Sequence, residues 1–338
     1  MRIYFYFLLL TLYFSIDVNA QLKWINVDSL YQPLPGSVHV LKSTDTLNGK
    51  PNIAYYVIAD LKDKQLVFDV DTTLKRRLTP TQFYTKRCDL YPHNACYFPL
   101  VVVNTTFFSF QTHQNLNVVI KDGKLVGYNI HTLPGKGKDT LTYRHPFGSA
   151  IGISKKRKTD VAWLYTDSIL QYPYKLIGEP FLLKDSSLSF DMKSPIKDQK
   201  KFRITHGGYF PSFDKWKVQT AVGGGPVLVQ NGEIKITNNE ELKFAGNAID
   251  DKHPRTAMGY TKDNKLIILV VQGRFPGIAE GATLGQEAQI LKDLGCWEAL
   301  NLDGGGSSYM LVNGKETIKP SDATGQRAVP AVFLIKRK

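Results

Sequence analysis

Apolar residues fall mostly into short runs, and turn residues punctuate them. Residues 53–60, 65–71 and 100–104 are rich in Val, Ile, Tyr and Phe, which predicts strands packed on at least one face. Residues 118–120 and 125–128 flank Asp122-Gly123. That spacing predicts a hairpin, because the favoured two-residue turn needs positive φ at both central residues. The same grammar recurs at Asn231-Gly232, at Asn313-Gly314 and, between 257–260 and 266–271, at Asp263-Asn264. No fixed period links these hairpins, so they are not repeats of a solenoid.

One segment carries the helical period instead. Leu284, Ala288 and Leu291 fall at i, i+4 and i+7, with Leu294 beside them, and predict a helix over about 284–294. Thr283 and Gln286 have the spacing of a capping box, and Gly295 supplies the stop. An apolar strand over 299–302 follows, and Asp303 with three glycines stands at its carboxyl end. The pattern predicts an α+β fold: a strand-rich twisted mixed sheet with a few covering helices, forming a single main domain over residues 51–338. Residues 21–50 are expected to be a lead-in segment or an edge strand. The polar, charged stretch 184–201 is expected to be a surface excursion.

Residues 1–20 read differently. Arg2 precedes an apolar run from Ile3 to about Ile16, and Val18-Asn19-Ala20 places small residues where a signal peptidase reads, with cleavage before Gln21. The run is shorter than the ~20 apolar residues a spanning helix needs, so a signal peptide and an exported protein (periplasmic, cell-surface or secreted) are expected, with no membrane span after cleavage. An oxidising compartment would permit a small bridge between Cys88 and Cys96 across a polar loop, whereas Cys296 reads as a buried small hydrophobe.

Composition narrows the function classes. A chain of 338 residues that is 43% hydrophobic and 22% charged is not disordered, and three cysteines exclude a disulfide-dense scaffold. Forty-three Lys and Arg against 30 Asp and Glu give a net charge of +13. The basic runs at 155–158 and 336–338 read as solvated faces. For an exported protein this charge points away from nucleic acid and toward a general attraction for anionic substrates such as phosphates. The seven histidines include no His-Glu-x-x-His and no pair at metal spacing, so zinc is not expected.

The chemistry concentrates in Asn301-Leu-Asp-Gly-Gly-Gly-Ser-Ser308. Glycines let backbone N–H groups approach an anion, the serines add hydroxyl donors, and Asp303 supplies a carboxylate among those donors. The motif lacks the lysine of a P-loop and the pattern of a nucleophile elbow. A plain glycine turn, with Asp303 tying it to backbone amides, is the bland alternative.

These residues, with their neighbours, resemble the phosphodiester glycosidase family, to which N-acetylglucosamine-1-phosphodiester alpha-N-acetylglucosaminidase, the uncovering enzyme, belongs. The resemblance rests on 301–308 with Tyr309 to Gly314, His253-Pro-Arg-Thr256, Gln272-Gly-Arg274, Gly281 with Leu284, Gly223 to Leu228 with Asn231-Gly232, Asn104-Thr-Thr-Phe-Phe108 and Arg327-Ala-Val-Pro330. It is strong over about 220–334, patchy over 50–220 and absent before. Three positions depart from the pattern. Thr105 stands where glycine is usual, Gln286 where many members carry glutamate, with Glu287 one step round the helix, and Glu280 where serine or arginine is more usual.

The resemblance implies hydrolysis of the glycosyl–phosphate bond of a sugar 1-phosphodiester. The leaving group is then a phosphate monoester, already a stable anion, so the demands are anion stabilisation and a base or nucleophile for an oxocarbenium-like centre. Arg255 and Arg274 suit the anion, because a guanidinium fork binds phosphate oxygens bidentately, and Arg327 is a third candidate. The amides of Gly304, Gly305 and Gly306 with the Ser307 and Ser308 hydroxyls complete a cradle. Asp303 is the expected base or nucleophile, and Asn104 and Asn301 would orient sugar hydroxyls or water. Arg255 and Arg274 also admit a structural salt-bridge reading. A divalent cation, Ca or Mg, at Asp303 is a thinner reading, since one visible carboxylate makes a poor site. The alternative from another class is a non-catalytic binding module for anionic or phosphorylated glycans.

Overall fold

The computed structural model describes residues 21–73, 76–86, 98–135, 137–166, 168–169, 172–185 and 212–338. The expected signal peptide, the Cys88–Cys96 bridge and most of the 184–201 excursion lie outside the described residues.

The α+β reading holds, and the strands divide among several sheets. The largest has eight strands in the order Ile25–Asn26, Val38–Ser43, Ala54–Asp60, Lys265–Val271, Arg255–Thr261, Cys296–Asn301, Val227–Gln230 and Glu233–Ile234. Every pairing in it is antiparallel. Residues 21–50 therefore supply two strands of this sheet, one at its edge and one inside. A five-stranded antiparallel sheet holds Val101–Asn104 between Met310–Val312 and Ala331–Arg337. A seven-stranded sheet runs through Gly148–Ile153 and Thr220–Gly223.

The large sheet is buried on both faces. One face, through Val57, Met258, Ile268 and Leu300, packs against Val103 and Phe333 of the five-stranded sheet and Ile151, Trp163 and Val222 of the seven-stranded one. The other face, through Ala257, Leu269 and Ala299, is covered by the helix Leu284–Asp293, whose Leu284, Ala288 and Leu291 form the apolar stripe read from the sequence. This two-sided burial explains why residues 266–271 are continuously apolar rather than alternating. Each buried leucine of that helix contributes roughly 2 kcal/mol.

The hairpin turns form where expected. Asp122, Asn231, Asn264 and Asn313 all take positive φ, as do Gly123, Gly232 and Gly314. The helix begins with both halves of the capping box: Thr283 Oγ1 accepts from the Gln286 amide at 3.1 Å, and Gln286 Oε1 accepts from the Thr283 amide at 3.0 Å. Gln286 thus closes the cap as a glutamate would, and its departure from the family pattern is a change at a helix terminus.

Antiparallel order positions the site. Ala257 pairs with Asn301 and Arg255 with Val271, so the start of one central strand adjoins the ends of its two neighbours. Asp303, Arg255 and Arg274 arrive together at that end. The end of Val101–Asn104 joins them from the other sheet, where the Asp303 amide donates to the Thr105 carbonyl at 2.7 Å.

Candidate active site

The glycine loop is clamped from below by backbone bonds. The Leu302 amide donates to the Thr256 carbonyl at 2.7 Å, and the Gly305 amide to the Pro254 carbonyl at 2.8 Å. Asn104 is fully buried beneath the loop. Its Nδ2 donates to the Asp303 carbonyl at 2.6 Å, and its Oδ1 accepts from the Thr256 hydroxyl at 2.9 Å and the Tyr309 amide at 3.0 Å. The side chain is thereby spent on holding the loop rather than offered to a sugar. Asn301 is likewise buried; its Nδ2 donates to the Gly225 carbonyl at 2.9 Å while the Gly225 amide donates to its carbonyl at 2.7 Å. Thr105, at the family's glycine position, is buried and donates to the Ala331 carbonyl at 3.1 Å, so the hydroxyl is absorbed by the neighbouring strand.

Arg327 and Ser307 brace the loop from the side. Arg327 grips Asp322 bidentately, Nε to Oδ2 at 2.8 Å and Nη2 to Oδ1 at 3.0 Å, and its Nη1 reaches the Ser307 hydroxyl at 3.5 Å. A Cβ at Gly306 would meet Arg327 Nη2 at 2.1 Å and Asp322 Oδ1 at 2.2 Å, so only glycine lets this pair close on the loop. Asp322 was not read from the sequence, where it is a lone acid in a polar stretch. Thr256, which orients Asn104, was visible only as part of the His-Pro-Arg-Thr run.

The two arginines at the strand ends differ. Arg255 is 1% exposed, its Nε donates to the Ala282 carbonyl at 2.8 Å and its Nη2 to the Asp251 carbonyl at 2.9 Å, and the Phe244 ring lies 5.7 Å away. Burial lowers its pKa, while Glu287 and Asp251 oppose that shift. Glu287 is itself fully buried with both carboxylate oxygens lacking a hydrogen-bond partner among the described residues, and burial pushes it up to about 8 against the pull of Arg255. Arg274, by contrast, is exposed, and no described residue forms an ion pair or hydrogen bond with its guanidinium. It holds a positive φ of 66°, and its Nη2 lies 3.0 Å from where a Gly305 Cβ would sit. A non-glycine residue kept at positive φ beside a functional loop is strain the surroundings must impose.

Asp303 is half-buried in this frame. Burial pushes its carboxyl up to about 7, although the Ser307 hydroxyl, the Arg327 charge and the Gly304 amide all favour the ionised form. It therefore titrates near neutrality, where a carboxylate serves as a general base or nucleophile. The Ser308 hydroxyl is buried with no partner among the described residues. No group of three or more His, Cys, Asp or Glu that could hold a metal assembles among the described residues, and Asp303 has a hydroxyl, an amide and a guanidinium around it rather than further acids.

Among the described residues no helix is long and apolar enough to cross a membrane. A model of the phosphodiester glycosidase family matches residues 98–336, and the chain belongs to that family. The chain is 30% identical over 103 residues to the mouse N-acetylglucosamine-1-phosphodiester alpha-N-acetylglucosaminidase, covering 28% of this chain and 20% of that protein. It is 41% identical over 84 residues to an SPbeta prophage-derived uncharacterized protein of Bacillus subtilis, covering 25% of this chain and 13% of that one. The matched stretches thus span a fifth or less of these relatives' own length. Among solved structures, the zebrafish N-acetylglucosamine-1-phosphodiester alpha-N-acetylglucosaminidase catalytic domain, auto-inhibited by its pro-peptide, aligns with a TM-score of 0.53 at 21% identity, covering 94% of this chain and 89% of that one. A hypothetical protein from Synechocystis aligns at 0.57 and 13% identity, covering 89% and 62%. A putative exported protein from Burkholderia pseudomallei aligns at 0.50 and 16% identity, covering 87% and 75%. At these identities the structural likeness bears on the fold.

Proposed function

We propose that this phosphodiester glycosidase family member is an exported hydrolase that cleaves the glycosyl–phosphate bond of a sugar 1-phosphodiester, of the N-acetylglucosamine-1-phosphodiester type. The observation that carries the reading is the meeting, at one glycine loop, of a carboxyl that titrates near neutrality with an arginine from a neighbouring strand end that no described residue neutralises. Arg274 and the Gly306 amide receive the phosphate oxygens, since the Gly305 amide is held by the Pro254 carbonyl and the Gly304 amide by Asp303. Asp303, deprotonated, either takes a proton from water or adds to the anomeric carbon. The bond between that carbon and the bridging oxygen breaks, and the electron pair leaves with the phosphate monoester. Water supplies the new anomeric hydroxyl, and its other proton passes through Asp303 to solvent or to the departing phosphate. Arg255, Asn104, Thr256 and Arg327 act as positioning residues, because they direct donors to backbone carbonyls, to the Asn104 side chain or to Asp322.

The test is hydrolysis of N-acetylglucosamine 1-(aryl phosphate) diesters by the mature protein beginning at Gln21, beside Asp303→Asn, in ¹⁸O-labelled water and with or without EDTA. Turnover lost in the variant, with the label in the sugar, is the expected result. Label in the phosphate would move the reaction to the phosphorus side. Binding without turnover would leave a module for anionic glycans, and loss of turnover in EDTA would bring a divalent cation to Asp303.

A further inference from the structure

A cavity of about 220 Å³ opens between Phe107, just beyond Asn104, and Lys243, and the roles assigned above leave it unused. Phe107, Leu116, Ile130 and Leu133 give it apolar walls, and Lys243 projects into its lining. An apolar cavity of ~150 Å³ accommodates a benzene ring, so this one has room for an aromatic-sized group.

The cavity belongs to the same frame as the loop. Phe107 lies three residues beyond Asn104, and its ring meets the edge of Phe244 at 6.0 Å. Phe244 in turn lies against the Arg255 guanidinium at 5.7 Å. Gly225, whose carbonyl is held by Asn301, keeps a φ of 114°, and a Cβ there would meet Lys243 Cε at 2.6 Å. The missing side chain is what lets the lysine stem cross next to the loop.

The polar groups of the lining are spent, with one exception. Asn117 donates to the Gly224 carbonyl at 3.3 Å, and Asn129 donates to the Gly148 carbonyl at 3.1 Å and accepts from the Val118 amide at 2.9 Å. The Glu241 carboxylate takes the Ser149 amide and hydroxyl, the Trp163 indole, the Val227 amide and the Thr237 hydroxyl. The Lys243 ammonium has no ion pair or hydrogen bond among the described residues, and it stands 5.6 Å from the centre of the Phe107 ring. Burial holds its pKa down, with Glu241 opposing. An anion entering the cavity would oppose that shift further, adding a hydrogen-bonding partner to the charge of Glu241, whose oxygens are already taken by five donors.

We propose that this cavity receives the leaving half of the diester and selects an apolar aglycone that carries a negative charge of its own, with Lys243 as its partner. The inference rests on the diester reading above, and it names the group on the far side of the phosphate. An aromatic face against Phe107 and an anion against Lys243 would fill both features of the site.

The experiment compares two N-acetylglucosamine 1-(aryl phosphate) diesters, one with a 4-carboxyphenyl and one with a 4-methylphenyl aglycone. The substituent is remote from the bond that breaks, so intrinsic reactivity is nearly matched and the ratio of the two KM values reports the cavity. The wild type is expected to favour the carboxylate, Lys243→Met to lose that preference by about tenfold or more, and Lys243→Arg to keep most of it. A wild type without preference, or the same ratio in wild type and Lys243→Met, overturns the proposal. If the wild type hydrolyses neither diester, the diester reading fails separately, and calorimetric titration with 4-carboxyphenyl phosphate and 4-methylphenyl phosphate judges the cavity. Selective binding of the carboxylate that vanishes in Lys243→Met would support it, and equal or absent binding would overturn it.

Discussion

The buried side of the glycine loop and its open side are built from the same residue types and use them in opposite ways. Beneath the loop, Asn104, Thr256, Asn301 and Arg255 direct their donors into backbone carbonyls or each other. On the open side, Arg274 has no described partner and Asp303 retains enough exposure to meet a substrate. The lesson is one of division of labour. An arginine that is buried and tied to backbone carbonyls can hold geometry, and an arginine left free beside a glycine can bind an anion.

The largest effect expected from breaking this contrast is at Asp303. Asp303→Asn should lower kcat by about 10³-fold while leaving substrate affinity within a few fold, read by steady-state kinetics and by titration of the variant with diester. Arg274→Ala should lower kcat/KM by about 10²-fold with almost no change in thermal midpoint, because the side chain is exposed and unpaired. Asn104→Ala should do the reverse in emphasis. It strands the Thr256 hydroxyl, the Tyr309 amide and the Asp303 carbonyl, so urea unfolding should show a loss of roughly 3 kcal/mol, with activity lost as the loop loosens. An Arg274→Ala enzyme as unstable as Asn104→Ala would erase the distinction between the two sides.

The pH dependence sharpens the same contrast. Asp303 is pushed up to about 7 in the folded chain from 3.8, so the native state holds a proton that the unfolded chain has released between those values. Stability contributed by this group therefore falls as pH rises through that window, and activity that needs the carboxylate rises. Asp303→Asn should flatten the stability decline by about 2–3 kcal/mol between pH 5 and 8, measured as the difference in urea midpoints from wild type. The acidic limb of kcat/KM for the wild type should fall about tenfold per unit below pH 7. Gln286→Glu is the smallest change. It exchanges one capping-box partner for another, so stability should move by less than ~0.5 kcal/mol and activity should stay as it was.

Much of the fold was legible because its signals are local. Asp-Gly and Asn-Gly pairs specify their turns through the φ each residue tolerates, and Thr283 with Gln286 specifies a helix start within four positions. The candidate residues Asp303, Arg255, Arg274, Arg327, Asn104 and the glycines, picked out in the sequence, do meet at one end of the large sheet and its neighbour. Their division into positioning and open groups was not legible. Arg255 and Arg274 look equivalent in sequence, and nothing in the run containing Thr105 says that its hydroxyl will find the Ala331 carbonyl from a strand more than two hundred residues away.

Sequence alone determined the strand-rich pattern, the hairpins, the capped helix and the residue types gathered around the glycine motif, since each depends on neighbours within a few positions. Tertiary structure alone decided which of those groups are satisfied. Whether a guanidinium or an ammonium meets a carbonyl, a carboxylate or open space depends on strands brought together from distant parts of the chain. Burial then sets the cost of a charge left without a partner. That is why Asp303 titrates near neutrality, Arg255 is braced, and Arg274 and Lys243 remain without an ion-pair partner among the described residues.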